Sequence, residues 1–517
     1  MKTKISHHFK SLLLPCAAFS LAVGFIAALY ITAFKILAEW IIHLSSSLYA
    51  MARANPILLP IIVLGAAIIG LIASFILSVS HSSRGGGIPS SVAAIRGIVS
   101  LKWLASIFVL PISALLSYLA GIPLGTEGPC VQIGTAIGDG VGECFGKGKN
   151  KGWHRYVMTG GASAGFSIAT ASPITAILFS TEELHKHFSP LLLTVASLSV
   201  ATADLTTRIL ASFGIGSLGL FTVPNMEALS LKLFFAPLIV GLAAGLASVL
   251  FTKLFHIVDA FMKATLKKLS IKIVFPALFA LISLVGFFFK EALGTGHSLA
   301  AMLLTGRFAW YLLILAFLMR AVFMMLSNTA GTTGGLFLPT IAFGAIVGSL
   351  CADGMIALGL IGGEYYTLMV VLGITAFLGS TSRIPITACV FAIEALGSIY
   401  NIPSLVIAVT IAVLVVEISG VEDFTDTVIE SKMKAISNGK SPAVIETSLT
   451  VKEGSFASGK EMRDILWPNA CFLVSFNHAI EHSNSSKISA GDVITVRYET
   501  YNEKETAEEL EALVGKQ

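Results

Sequence analysis

Long apolar runs with few charges recur along the chain, starting near residues 12, 57, 104, 157, 190, 233, 271, 308, 335, 366 and 384. A helix needs about 20 mainly apolar residues to cross the hydrocarbon core, so this pattern predicts roughly ten or more membrane-embedded helices. Several runs are interrupted by Gly, Pro or Ser, which predicts broken helices of unequal length and tilt. From about residue 430 the pattern changes. Apolar alternation at 448–451, 471–476 and 492–498 predicts strands, with 459–466 as a short helix between them. The expected organisation is an all-α polytopic membrane domain over residues 1–430, a linker over 431–446, and a small α/β domain over 447–517.

Composition agrees with a lipid-immersed chain. Of 517 residues, 55% are hydrophobic and 12% charged, against about 25% charged in soluble domains. The run over residues 12–34 follows Lys2, Lys4, His7, His8 and Lys10. It is too long for a signal-peptide core and has no small-residue cleavage site after it. It reads as a retained first span with its basic start in the cytosol. The same rule places Lys147, Lys149, Lys151, His154 and Arg155 on the cytosolic side. The six cysteines are scattered without Cys-x-x-Cys spacing, which argues for small buried hydrophobes over a disulfide framework or a metal site. A net charge of +4, dispersed along the chain, gives no footprint for nucleic acid.

The chain repeats its punctuation. Gly125, Pro129, Gly134 and Gly138 recur with the same spacing as Gly335, Pro339, Gly344 and Gly348, an offset of 335 − 125 = 210 positions. The series Pro173, Ile174, Thr175, Ala176, Phe179, Glu182 recurs as Pro385, Ile386, Thr387, Ala388, Phe391, Glu394, offset by 385 − 173 = 212. Internal duplication with Gly/Pro-interrupted segments at corresponding places points to a midplane binding site in a transporter. Whether the halves are parallel or inverted depends on the number of spans and stays open at this level.

Three segments carry candidate chemistry. Gly85, Gly86 and Gly87 lead into Ile88 and Pro89. Glycines let the backbone approach a ligand closely, and proline suits a first helical turn. Exposed N–H groups at such a helix start attract an anion, and irregular backbone at membrane depth is tolerated where it lines a cavity. Next, Glu127 stands between Gly125 and Pro129 in an apolar environment. An acid inside the membrane is a functional candidate, and at a helix N-terminus it competes with a bound anion when ionised and withdraws when protonated. In the second half, Leu336 and Phe337 occupy the corresponding place before Pro339, with backbone amides able to face the same anion.

With these residues in hand, the chain resembles the CLC family of chloride channels and chloride/proton antiporters. The family motifs G-S-G-I-P, G-[KR]-E-G-P and G-x-F-x-P match Gly85 to Pro89, Gly125 to Pro129 and Gly335 to Pro339 in order. The similarity extends to Val131, Gln132, Ile133 and Gly134 and to both PITAxxFxxE segments, so it spans roughly residues 10–430. The resemblance implies a homodimer in which each subunit has its own pore and two inverted halves. It implies that Glu127 is the external gating and proton-carrying glutamate and Glu183 the internal proton-transfer glutamate. It also implies anion coordination around Gly86, Gly87, Ile88, Leu336, Phe337 and Phe424. Three family features are absent: the filter serine falls on Gly86, the basic residue before the gating acid is Thr126, and the central tyrosine falls on Phe424, with Thr425 beside it. Anion coordination is therefore expected to lean on backbone N–H groups and water, with chloride the default substrate and nitrate or bromide open.

The functional expectation is a proton-coupled anion antiporter, with a passive anion channel as the alternative. A membrane enzyme is disfavoured, because no Ser/His/Asp, HExxH or phosphate-loop motif is present, and no cofactor is expected. The tail residues Val451 to Ser455, Gly459, Lys460, Arg463, Trp467, Pro468 and Gly491 to Val496 resemble the TrkA C-terminal (RCK-C) domain of prokaryotic potassium transport systems. That similarity implies regulation by a small-molecule ligand or dimerisation. The absence of a CBS pair implies a prokaryotic plasma membrane, with both termini cytosolic.

Overall fold

The computed structural model describes residues 14–79, 83–145, 152–216, 219–224, 226–436, 442–468, 471–477, 486–500 and 503–515. His7, His8 and the lysines at 2, 4, 10, 147, 149 and 151 lie outside them. The chain opens with α1 (Leu14–Ala54), α2 (Leu59–Val79), the short α3 (Ile88–Ile95) and α4 (Trp103–Leu119). It continues through α5 (Glu127–Phe145), α6 (His154–Thr170), α7 (Pro173–Phe179) and α8 (Pro190–Ser212). The next stretch holds α9 (Phe235–Lys268), α10 (Ile271–Phe288), α11 (His297–Thr305) and α12 (Trp310–Ala330). The last membrane-domain helices are α13 (Phe337–Ala357), α14 (Tyr366–Thr381), α15 (Pro385–Leu396), α16 (Ile402–Ser419) and α17 (Phe424–Ile436). Among the described residues, eight helices are long and apolar enough to cross a membrane, and α4 and α15 are shorter apolar helices. The first helix runs 41 residues, about 60 Å at 1.5 Å per residue, so it must tilt or project beyond the bilayer.

The repeated glycines have a packing reason. A Cβ on Gly134 would lie 2.1 Å from the carbonyl oxygen of Gly161, and one on Gly165 would lie 2.4 Å from that of Cys130. In the second half, a Cβ on Gly344 would lie 2.6 Å from Cα of Ile374, and one on Gly348 would lie 2.4 Å from the carbonyl of Met369. Helix pairs α5/α6 and α13/α14 thus approach backbone to backbone, as small residues permit in lipid. The halves meet in a two-residue antiparallel bridge, in which Gly125 N donates to Gly335 O and Gly335 N to Gly125 O, both at 2.7 Å.

A second exchange joins the halves. Glu182 accepts from the amides of Ile386 (3.1 Å) and Thr387 (2.6 Å) at the start of α15. Glu394 accepts from the amides of Ile174 (2.9 Å) and Thr175 (2.7 Å) at the start of α7. Each acid satisfies orphan donors of the other half's broken helix. Reciprocal contacts of this kind are what a two-fold relation between the halves produces.

The tail forms a three-stranded antiparallel sheet of order β1-β3-β2, with β1 Ala443–Thr450, β2 Phe472–Phe476 and β3 Val493–Thr500. β2 and β3 lie where alternation predicts them, while β1 begins at Ala443, five residues before the expected start and within the stretch expected as linker, because pairing with β3 extends it back to Ala443. The helix expected at 459–466 is instead a single 3₁₀ turn, Met462–Asp464. The helix of this domain is α18 (Glu503–Val514). Eight residues between Gly459 and Pro468 form a helix only where packing favours one, and here burial of Met462, Ile465 and Leu466 accompanies a single turn instead. Between the two domains, α17 reaches Ile436 and β1 opens at Ala443.

The tail packs directly on the membrane domain. Phe456 meets Trp153 edge-on at 5.5 Å and tilts against Tyr156 at 5.8 Å. Arg155 pairs with Glu509 and donates to Trp467 O at 2.6 Å. His187 bonds Arg463 O at 2.8 Å, and Ser189 Oγ donates to Asp464 Oδ1 at 2.7 Å.

Candidate functional site

The first glycine loop is anchored on both sides. Gly85 has φ +53° and Gly87 φ +151°, conformations that only glycine adopts without strain. Gly85 N donates to Gly331 O at 2.7 Å. The Gly87 amide, an expected anion donor, is committed to Gln132 Oε1 at 2.7 Å. A Cβ on Gly86 would lie 2.5 Å from that same oxygen. The Gln132 side chain therefore occupies the space that a residue-86 side chain would take. Ile88 begins α3 with Pro89 in its first turn.

Glu127 begins α5 and is fully buried. Thr126 Oγ1 donates to its Oε1 at 3.1 Å, and its Oε2 has no hydrogen-bonding partner among the described residues. A Cβ on Gly125 would meet Glu127 Oε2 at 2.8 Å, Leu338 Cβ at 2.9 Å and Pro339 Cδ at 3.1 Å. The acid thus stands against the first turn of α13. Tyr118 Oη donates to Gly125 O at 2.9 Å and braces the bridge.

Below that turn lies a small cavity of about 30 Å³ whose lining includes Ile88, Leu336, Phe337, Phe424, Thr425 and Glu183. That volume suits one or two waters or a single small anion. Four expected anion-site residues and the expected internal acid thus converge from α3, α13, α17 and the π turn Ser180–Leu184. Gly86, Gly87 and Glu127 do not line it. Rings wall it off: Phe337 meets Phe166 at 5.0 Å and Phe391 at 5.5 Å, and Phe424 meets Phe251 at 5.0 Å and Phe255 at 5.2 Å.

Glu183 is 1% exposed. Thr425 Oγ1 donates to its Oε1 at 2.5 Å, and Oε2 has no partner among the described residues. Arg96 ties the turn in place, donating to Glu183 O at 2.8 Å and Leu184 O at 2.9 Å while pairing with Asp426 at 3.1 Å. Lys186 bridges Asp423 (2.7 Å) and Asp426 (2.6 Å). Sequence reasoning did not find the roles of Gln132, Thr425, Glu182 and Glu394. Only the last two left a signal, an acid nine positions after the proline in both repeats.

A polytopic membrane protein whose two repeats bring broken-helix starts together, with one buried acid on the small gap between them and a second at the head of α5, is a transport protein for a small ion. Residues 65–417 match the family described as voltage gated chloride channel, and the chain belongs to that family. It is 26% identical over 416 residues to the H(+)/Cl(-) exchange transporters ClcA of Salmonella paratyphi B and Salmonella newport, covering 79% of this chain and 86% of those. A solved slow cyanobacterial Cl-/H+ antiporter superposes with TM-score 0.72 at 21% identity, over 81% of this chain and 98% of that one. A CLC-type fluoride/proton antiporter superposes with TM-score 0.66 at 21% identity, over 80% and 97%. The fold is thus the CLC fold with a small sheet domain appended.

Proposed function

We propose that the protein exchanges chloride, or another small anion, for protons across a prokaryotic plasma membrane. One observation carries this reading. Two buried carboxyl groups each have one oxygen unpartnered among the described residues: Glu183 lines a gap the size of a single small ion, and Glu127 stands against the first turn of α13. A pore for anions alone can use one such acid as a gate but has no use for a second at the inner end, since each costs several kcal/mol to bury charged; a pair that loads and unloads protons does. Glu127 contends with the anion at the start of α5, and Glu183 passes protons at the inner end. The exchange-transporter names of the relatives support the same reading. Backbone amides at the starts of α3 and α13, with Phe424 as the apolar wall, hold the anion. The gating acid acts with Thr126 in place of a basic neighbour.

The chain works as a homodimer, each copy with its own path. Residues 447–517 form a TrkA-C-like regulatory domain on the cytosolic side, and a small-molecule ligand acts through it. Its contacts with Arg155, His187 and Ser189 support this reading, since they flank the turn that carries Glu183.

Proteoliposomes with simultaneous anion and pH electrodes test the proposal. An imposed chloride gradient drives protons uphill in the wild type, and Glu127→Gln leaves anion flux without proton movement. Wild-type anion flux with no proton movement would establish the passive channel instead.

A further inference from the structure

Phe424 brings a ring and no hydroxyl to the cavity; Thr340, Ser382 and Thr425 bring hydroxyls to its lining, that of Thr340 donates to Leu336 O, and that of Thr425 bonds Glu183. Thr425 is 5% exposed and lines the same gap as Glu183. Its backbone N–H is committed to Asp423 Oδ1 at 2.8 Å, so its side chain is what it can present to an ion. That side chain donates its one hydrogen to Glu183 Oε1.

We propose that Thr425 is the positioning residue that links the proton on Glu183 to the anion in the cavity, through a hydroxyl hydrogen that only one of them can hold at a time. A hydroxyl has one donor and rotates about its C–O bond. While Glu183 is a carboxylate, a charge-assisted bond keeps that hydrogen on the acid, and the Thr425 lone pairs are left toward the gap, where they repel an anion. When a proton arrives on the unpartnered Oε2, the carboxylic acid needs no donor at Oε1. The Thr425 hydrogen then turns to the anion. No covalent bond changes apart from the proton taken from the cytosolic side, and by linkage anion occupancy favours the protonated acid equally.

The surrounding charges leave Glu183 as the odd member. Lys186 and Arg96 are answered by Asp423 and Asp426, two cations against two anions. Among the other titratable neighbours, His185 is held by Thr159 Oγ1 at 2.7 Å and Glu182 caps the start of α15. Neutralising Glu183 alone would ease electrostatic repulsion in any variant, so the test must isolate the hydroxyl.

The inference rests on the exchange reading, but calorimetric anion binding needs no proton movement, so the two can fail separately. Chloride affinity of the full-length protein is measured at pH 5 and pH 8 in a Glu127→Gln background, which removes competition from that acid. Thr425→Val keeps the shape and loses the hydroxyl; Thr425→Ser keeps the hydroxyl. The expected result is about a tenfold loss of affinity at pH 5 for Thr425→Val, the equivalent of one hydrogen bond to an ion, with little change at pH 8. Thr425→Ser should track the parent at both. In the Glu127-containing protein, Thr425→Val should also lower the protons moved per chloride. Unchanged affinity at pH 5 in Thr425→Val would overturn the proposal. So would an equal loss at both pH values, or Thr425→Ser behaving like Thr425→Val, since either marks a packing role.

Discussion

Replacing Glu394 by Ala should weaken the membrane domain more than replacing its counterpart Glu182, and the structure sets the difference. Glu394 accepts three hydrogen bonds, from the amides of Ile174 and Thr175 and from Thr175 Oγ1 at 2.6 Å. Glu182 accepts only two, because Thr387 Oγ1 has no partner. Thr175 is buried while Ile174 is exposed, so only the two Thr175 donors are left stranded in Glu394→Ala. Each stranded group costs about 1–3 kcal/mol and a lost N-cap about 1 kcal/mol; with each stranded group at the lower figure, the sum is ~3 kcal/mol for Glu394→Ala. Without the hydroxyl bond, Glu182→Ala should cost ~2 kcal/mol. Glu394→Gln keeps one acceptor oxygen but turns an amide donor toward Thr175, and should fall near ~1.5 kcal/mol. Reversible denaturation in mixed micelles, read by circular dichroism, gives the ranking. A cycle with Thr175→Val should be non-additive, because the two residues share a bond. Glu394→Ala within about 0.5 kcal/mol of wild type, the usual scatter for surface changes, would refute the reasoning.

Two further outcomes are expected. A methyl group on Gly128 would lie 2.5 Å from Cα of Gly335 and 3.1 Å from Cα of Gly87, backbone on both sides, so Gly128→Ala must spread the bridge. Anion flux should fall at least about tenfold with helical content retained, whereas Gly65→Ala, with nothing within 4 Å, should transport normally. In the tail, burial pushes the Lys460 amine down to about 8 from 10.5, although it donates to Phe456 O and lies 3.7 Å over the Phe456 ring. The unfolded tail therefore binds the proton more readily than the folded one. The resulting penalty is fully present below pH 8 and fades as pH rises toward 10.5. Hydrogen exchange of the β-strands, corrected for intrinsic rate, should show protection increasing from pH 7 to pH 9.5, and Lys460→Met should remove that dependence.

Much of this molecule is legible in its amino-acid sequence. Hydropathy marked the long helices, because leaving an apolar run in water or a charge in lipid is costly wherever the chain goes next. The doubled glycines and prolines located the broken helices and the bridge, and Glu127 stood out as an acid among apolar neighbours. In the tail, alternation marks β2 and β3 and only the end of β1, whose first five residues are set by pairing with β3; the segment 459–466 carries too little periodicity to decide between helix and turn, and packing of Met462, Ile465 and Leu466 decides instead.

Partnership was beyond the reach of the sequence. Glu182 and Glu394 looked like two copies of one motif, and only the fold turned them into caps for each other's helices. Gln132 filling the space beside Gly86, and Thr425 rather than Phe424 meeting Glu183, depend on distances near 3 Å between residues far apart in the chain. Hydropathy and spacing are properties of neighbouring residues, set by the covalent chain and its solvent. A hydrogen bond across two hundred positions exists only where packed helices bring its ends together, and that is settled by the tertiary structure alone.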